Sequence, residues 1–137
     1  MTSLSLIIPA YNAEKFIGKS ILAYFHAFSP HFKKFEMIVV CNACKDRTFE
    51  VCDSLKRKFP LKIINVSERG KGNALIKGFE NAKNEIIGFL DSDNPFDLEE
   101  ILKMISLLKE ADVAIGTKFR HGNMKHQTSI SRRFFSI

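Results

Sequence analysis

Two aspartates one residue apart, Asp91-Ser92-Asp93, follow directly on the apolar run Ile86-Ile87-Gly88-Phe89-Leu90. Carboxylates at i and i+2 behind a buried strand are held at its rim with little freedom. Hard cations such as Mg2+ or Mn2+ take oxygen ligands of this kind, often completed by substrate phosphates. The same pair can instead serve the helix that follows, because acidic residues favour helix N-termini. A second cluster, Gly70-Lys71-Gly72-Asn73, precedes a helical pattern. Glycines there let a ligand approach the backbone, and a helix N-terminus attracts phosphate; the alternative is a tight turn with no ligand. Its spacing is neither G-x-G-x-x-G nor G-x-x-x-x-G-K-[ST], so it is no dinucleotide fingerprint and no P-loop. A third cluster is the C-x-x-C of Cys41 and Cys44, half of a zinc site or a redox pair. With Cys52 the chain has 3 cysteines and no second such pair. A four-ligand zinc site would have to recruit His26 and His31; the alternative is reduced thiols in a reducing compartment.

The elements that position these residues show in the hydrophobic pattern. Short apolar runs occur at Leu6-Ile7-Ile8, Met37-Ile38-Val39-Val40, Ile63-Ile64, Ile86 to Leu90 and Val113-Ala114-Ile115. Runs of this length, rich in β-branched residues, read as strands buried on both faces. Between them lie four helical stripes: Ile17, Ile21, Tyr24, Phe25 and Phe28; Val51, Cys52, Leu55 and Phe59; Ala74, Leu75, Gly78, Phe79 and Ala82; and Leu98, Ile101, Leu102, Ile105 and Leu108. Asn12 and Thr48 are expected as N-caps, and Asp97 followed by Glu100 as an acidic capping box. Strands alternating with helices predict an α/β domain, a mainly parallel sheet with helices on both faces. After Ile115 the regular pattern stops.

In such a sheet, ligands bind beyond the carboxyl ends of the strands. The segments that follow the five runs are Pro9-Ala10-Tyr11-Asn12, the stretch from Cys41 to Asp46, the stretch from Ser67 to Gly72, Asp91-Ser92-Asp93-Asn94, and Thr117, Lys118 and Arg120. The densest polar chemistry is therefore expected at one edge of the sheet.

Length and composition set the bounds. The 137 residues are 45% hydrophobic and 26% charged, which suits one globular domain and excludes a disordered or collagen-like chain. No apolar run reaches the length of a membrane span. The first residues lack a basic segment, and Pro9 interrupts their apolar run, so the start does not read as a signal peptide and a cytosolic location is expected. The net charge is +6, of which residues 1–110 carry +2 and residues 111–137 carry +4. A basic last fifth suits a phosphate, a membrane surface or a nucleic acid, or is a solvated tail. No RNA- or DNA-binding module is present, so nucleic acid is not expected as the partner. The 13 phenylalanines and absent tryptophan indicate a core built with Phe. Phe134, Phe135 and Ile137, beside Arg132 and Arg133, either pack onto the domain or meet a membrane interface.

Taken in order, the motifs resemble the nucleotide-sugar-binding half of a family 2 glycosyltransferase with the GT-A fold. Ser5 to Asn12 is similar to the family's opening strand and P-x-Y-N loop. Val39 to Thr48 lies where the family has two valines, two aspartates and D-x-T. Gly70-Lys71-Gly72-Asn73-Ala74-Leu75 resembles its G-K-G-x-A-L turn, Asp91-Ser92-Asp93 its metal-binding D-x-D, and Asp112 to Lys118 the strand that ends in G-S-R. The last segment is similar to the dolichyl-phosphate hexosyltransferase branch, whose later R-x-x-x-S is matched by Arg132 and Ser136.

The resemblance implies an inverting transfer of a hexose from a GDP- or UDP-hexose to a polyprenyl (dolichyl) phosphate, with Mg2+ or Mn2+ as cofactor. Asp91 and Asp93 would be the catalytic, metal-binding pair. Pro9, Ala10, Tyr11, Asn42, Lys71 and Asp91 would bind the donor nucleotide, and Lys118, Arg132 and Ser136 the acceptor phosphate, at the cytoplasmic face of a membrane. Asn42 replaces an aspartate of the family, and Lys118 replaces an arginine, keeping a point charge without the planar fork. The family's catalytic domain continues beyond the equivalent of Ile137, so the chain is expected to be cut short on its acceptor side. Alternatives are a non-catalytic nucleotide-sugar-binding module and a family 2 transferase with a sugar-hydroxyl acceptor. An aspartyl phosphatase would need its D-x-D-x-T after the first strand, where this chain has Tyr11-Asn12.

Overall fold

A computed structural model describes residues 3–94, 96–116 and 134–136. The elements follow the expected alternation: β1 (Ser3–Ala10), α1 (Ile17–Phe28), β2 (Lys34–Asn42), α2 (Thr48–Leu55), β3 (Leu61–Val66), α3 (Lys71–Asn81), β4 (Ile86–Phe89), α4 (Leu98–Ser106), β5 (Val113–Ile115) and β6 (Phe134–Ser136). Among the described residues the strands form one six-stranded sheet of order β3-β2-β1-β4-β6-β5, and every pairing in it is parallel.

The centre of the sheet is β1, all eight of whose residues are buried. Its side chains alternate between two cores, as a pleated strand requires. Leu4, Leu6, Ile8 and Ala10 face the larger one, with Ile17, Ile21, Tyr24 and Phe28 of α1, Cys52 of α2 and Ile101, Met104 and Ile105 of α4. Ile7 faces the smaller one, with Ile38, Val40 and Ala74, the last from α3. Helices thus cover both faces. Helix α3 lies close enough that a Cβ at Gly78 would fall inside van der Waals contact of Ile7 Cγ2, so glycine there is a packing requirement.

Three details differ from the sequence reading. Neither Asn12 nor Thr48 caps a helix. The flanking residues of α1 and α2 are Phe16 and Arg47, with no side-chain cap, because both polar side chains are drawn into contacts between loops. The capping role of Asp97 holds, its carboxylate accepting from the N–H groups of Glu99 and Glu100, but Glu100 turns to Lys103 instead of reaching back. The sixth strand was not anticipated. Three residues carry no readable period, and β6 is defined by pairing on both sides, Phe89 and Ile115 each lying opposite Ser136.

The topology places the site. From β1 the chain builds outward through β2 to β3 on one side, then returns to lay β4 on the other. The crevice at such a reversal, beyond the carboxyl ends of the strands, is where open parallel sheets accept ligands.

Candidate functional site

A cleft of about 240 Å³ opens at this reversal, lined by Pro9, Ala10 and Tyr11 after β1, Asn42 at the end of β2, Lys71 at the start of α3, and Asp91, Ser92 and Asp93 after β4, with Phe16. The structure therefore brings together Pro9, Ala10, Tyr11, Asn42, Lys71, Asp91 and Asp93, which lie far apart in sequence. Lys118 and Arg132 lie outside the described residues. Ser136 lies in β6 opposite Phe89, two residues before Asp91.

The loops after β1 and β2 are tied to each other. The buried N–H of Ala13 donates to Thr48 Oγ1 (2.7 Å), and the N–H of Glu14 to Asp46 Oδ2 (3.1 Å). In return Asn12 Oδ1 accepts from the N–H of Lys45 (2.8 Å). The Thr48 hydroxyl donates to Asp46 Oδ1. Burial acts to raise the Asp46 carboxyl, but donors from Thr48 and from the Glu14 and Thr48 N–H groups outweigh it, and its pKa lies below the ordinary value. The D-x-T stretch is thus a brace that sets the path of Tyr11. Tyr11 is 41% exposed, and the Arg69 guanidinium lies over its ring, 4.9 Å from the centroid.

Asn42 is buried and its Oδ1 accepts from the N–H of Gly70 (3.1 Å), which fastens the β3–α3 loop to the end of β2. Gly70 has φ 137°, a backbone region that side chains resist. Oδ1 keeps a second lone pair and Nδ2 two donors, so Asn42 can still meet a ligand in the cleft that it lines.

At the other side, the Asp91 backbone carbonyl accepts from the Tyr24 hydroxyl (2.5 Å), and its Oδ1 meets Lys71 Nζ at 2.6 Å. Burial, then the charges of Asp93 and Asp91, push the Tyr24 phenol well above its ordinary value of 10.0. Asp93 is exposed. One residue on, Asn94 has φ 46°, and its Oδ1 is buried without a hydrogen-bond partner among the described residues.

This turn offers two carboxylates to the cleft, an all-oxygen donor pair that fits Mg2+ or Mn2+ rather than a soft metal. Among the described residues no group of three or more His, Cys, Asp or Glu side chains is arranged to hold a metal, so two carboxylates would need oxygens from a ligand. The C-x-x-C reads differently. Cys41, Cys44 and Cys52 are free thiols. Cys41 is pushed up by its hydrogen bond with Cys52 and then by burial, and Cys44 by burial. The Cys44 thiol donates to the Ala10 carbonyl, and Cys41 and Cys52 are buried in the core.

Sequence reasoning missed Phe16, Tyr24 and Arg69. Tyr24 was visible only as one member of an apolar stripe and Arg69 only as one of the polar residues after the third strand, neither with a role; Phe16 carries no local signal. No helix of the described residues is long and apolar enough to cross a membrane.

A doubly covered parallel sheet with this cleft at its reversal is an α/β domain of the kind that accepts ligands beyond its strand ends, and comparison with known proteins names the family. The family model for glycosyl transferase family 2 matches residues 5–136, and the chain belongs to that family. It is 30% identical over 135 residues to the dolichol-phosphate mannosyltransferase of Pyrococcus furiosus, covering 97% of this chain and 38% of that protein. It is 33% identical over 145 residues to the dolichyl-phosphate beta-glucosyltransferase ALG5A of Trichomonas vaginalis, covering 98% and 45%. Among solved structures, S. aureus TarS 1–349 in complex with UDP superposes with a TM-score of 0.69 at 25% identity, covering 91% of this chain and 38% of that one. The fold is GT-A. The chain spans less than half the length of these relatives.

Proposed function

We propose that this chain is the donor-binding part of an inverting hexosyltransferase that takes a nucleotide diphosphate sugar and serves a polyprenyl phosphate at the cytoplasmic face of a membrane. The observation that carries the reading is the convergence of Tyr11, Asn42, Lys71, Asp91 and Asp93 on one cleft. Two curated relatives are named as transferases acting on dolichyl phosphate, and a structural neighbour is described in complex with UDP.

In this reading Pro9 and Tyr11 form an apolar wall for the base, and Asn42 forms a hydrogen bond with it. Lys71 meets the diphosphate as a point charge. Asp91 and Asp93 would hold Mg2+ or Mn2+, which supplies neutralisation of the charge that develops on a departing diphosphate. Tyr24 fixes the backbone of Asp91, so the carboxylates stay at the cleft while their partners change. The acceptor phosphate would be met by Lys118, Arg132 and Ser136. A phosphate is largely ionised near neutral pH, its second pKa being about 6, so the acceptor needs no general base.

Thermal melting with UDP, GDP and their hexose conjugates, each with and without Mn2+, tests the donor site. Ligand at a hundred times its dissociation constant adds about 2.7 kcal/mol, and a metal-dependent rise with one nucleotide is expected. Transfer is tested in a protein as long as the relatives, where Asp91→Asn with Asp93→Asn is expected to abolish it; undiminished turnover would overturn the mechanism. The alternative is a module that binds nucleotide sugar and transfers nothing. That module shows the melting shift but yields no lipid-linked sugar from any polyprenyl phosphate.

A further inference from the structure

Lys71 Nζ lies 2.6 Å from Asp91 Oδ1, and the side chains of the pair are 54% and 26% exposed. An ion pair this open to water is readily exchanged for another. One oxygen of the Asp91 carboxylate is therefore already engaged by a cation of the protein's own, and a divalent ion arriving alone meets that ammonium's repulsion. The two carboxylates and one ammonium leave a net charge of −1 for that ion, where Asp91 and Asp93 by themselves would offer −2. A diphosphate changes the balance, because it gives the ammonium another anion to meet. Lys71 lines the cleft, and its neighbours crowd it little: a Cβ placed at Gly70 or Gly72, on either side of Lys71, would meet nothing within 4 Å.

We propose that Lys71 is an internal counter-cation for Asp91, transferred to the donor diphosphate when nucleotide enters, so that a divalent cation and a nucleoside diphosphate bind this cleft cooperatively. The inference rests on the metal reading of Asp91 and Asp93 proposed above. The coupling is reciprocal by linkage: whatever the nucleotide adds to metal affinity, the metal adds to nucleotide affinity. A nucleoside monophosphate, with one phosphate fewer to draw the ammonium away, gives less of it.

The test is titration of Mn2+ into the whole chain, read from the electron paramagnetic resonance signal of the free ion, with nucleotide-only blanks. The proteins are wild type, Lys71→Gln, Lys71→Arg, Asp91→Asn and Lys77→Gln. Lys77 lies on the same helix and pairs with Glu80, so its loss removes the same charge without touching Asp91. With Mn2+ alone, Lys71→Gln is expected to bind about two- to fivefold more tightly than wild type. Lys71→Arg and Lys77→Gln are expected to match wild type. The gain in Mn2+ affinity on adding UDP or GDP should exceed that with UMP or GMP, and should shrink in Lys71→Gln. The proposal is overturned if Lys71→Gln binds Mn2+ no more tightly than wild type, or if Lys77→Gln reproduces its effect, while Asp91→Asn weakens binding. If Asp91→Asn leaves Mn2+ binding untouched, the metal reading itself falls, and this inference with it.

Discussion

The two ends of the cleft are built by different means. At the end formed by β1 and β2, the chain is held by contacts that involve backbone: Ala13 N–H to Thr48, Glu14 N–H to Asp46, Lys45 N–H to Asn12, and the Cys44 thiol to the carbonyl of Ala10. At the end formed by α3 and β4, the Tyr24 hydroxyl holds the Asp91 carbonyl, Asn42 holds the Gly70 N–H and the Leu90 N–H meets the Ile7 carbonyl, but the functional side chains Lys71 and Asp91 meet only in an exposed ion pair. The first end is preorganised and the second is adjustable. That division suits a ligand with a rigid, uncharged base and a flexible, charged diphosphate. A planar group gains from a wall already in place, whereas a charged group needs partners that can change.

Breaking the preorganised end should have the larger effect. Thr48→Val keeps the shape of a fully buried residue but removes the acceptor for the Ala13 N–H and the hydroxyl donor to Asp46. An unpaired buried donor costs about 1–3 kcal/mol, and a melting temperature several degrees lower is expected. Nucleotide binding should weaken as well, because the brace sets the path to Tyr11. The acid limb supplies a separate signature. The Asp46 pKa is depressed in the folded protein, so its contribution is present above the ordinary value of 3.8 and is lost as pH falls from there through the lower folded value. Thr48→Val removes one cause of the depression, and the loss of stability as pH falls below the ordinary value of 3.8 should become shallower. An unchanged melting temperature would show that this end is no more rigid than the other.

Tyr24→Phe acts on the adjustable end and should cost less. It removes one hydrogen bond to a backbone carbonyl, about 1 kcal/mol. The alkaline limb tests the assignment. The folded phenol is raised above its ordinary value of 10.0, so its contribution is complete below that pH and is lost as pH rises past it, where the unfolded chain ionises and the folded one does not. Tyr24→Phe should lose this part of the alkaline decline. Metal-dependent nucleotide binding should weaken more than nucleotide binding without metal, because the freed turn carries both aspartates. Equal weakening of the two would place Tyr24 in the core alone.

The contrast between the ends also explains which parts were legible in sequence. The strands and helices were readable because each carries its own period, and the chemistry at strand ends was readable because an α/β sheet gathers it at one edge. Asp91, Asp93, Lys71 and Asn42 could be named on that ground and from the order of the motifs. The brace could not. Ala13 and Thr48 are 35 residues apart, Asn42 and Gly70 are 28, and Tyr24 and Asp91 are 67. A polar residue next to a helix start looks the same whether it caps that helix or reaches into another loop, which is why Asn12 and Thr48 read as caps. Tyr24 read as core because its ring is core, and only the tip of the side chain serves the site. The strand β6 depends wholly on the edges of β4 and β5, and three residues hold no pattern that would announce it.

The smallest expected effect falls where the two ends meet. Arg69 precedes the Gly70 that Asn42 fastens, and its guanidinium lies over the ring of Tyr11. Both side chains are exposed, and a cation–π contact there is worth about 0.5–1 kcal/mol. Arg69→Ala should leave the melting temperature of the free protein nearly unchanged, as surface substitutions do. Its effect belongs to ligand binding, since the guanidinium offers a flat group near the wall of the cleft and a positive charge on the same loop as Lys71. Loss of both should weaken UDP or GDP binding by about two- to fivefold, more at low salt than at high salt. Arg69→Lys restores the charge without the planar group, so it divides the two contributions. If lysine recovers full affinity, Arg69 belongs electrostatically to the adjustable end. If lysine recovers none of it, the guanidinium acts through Tyr11 and extends the preorganised wall.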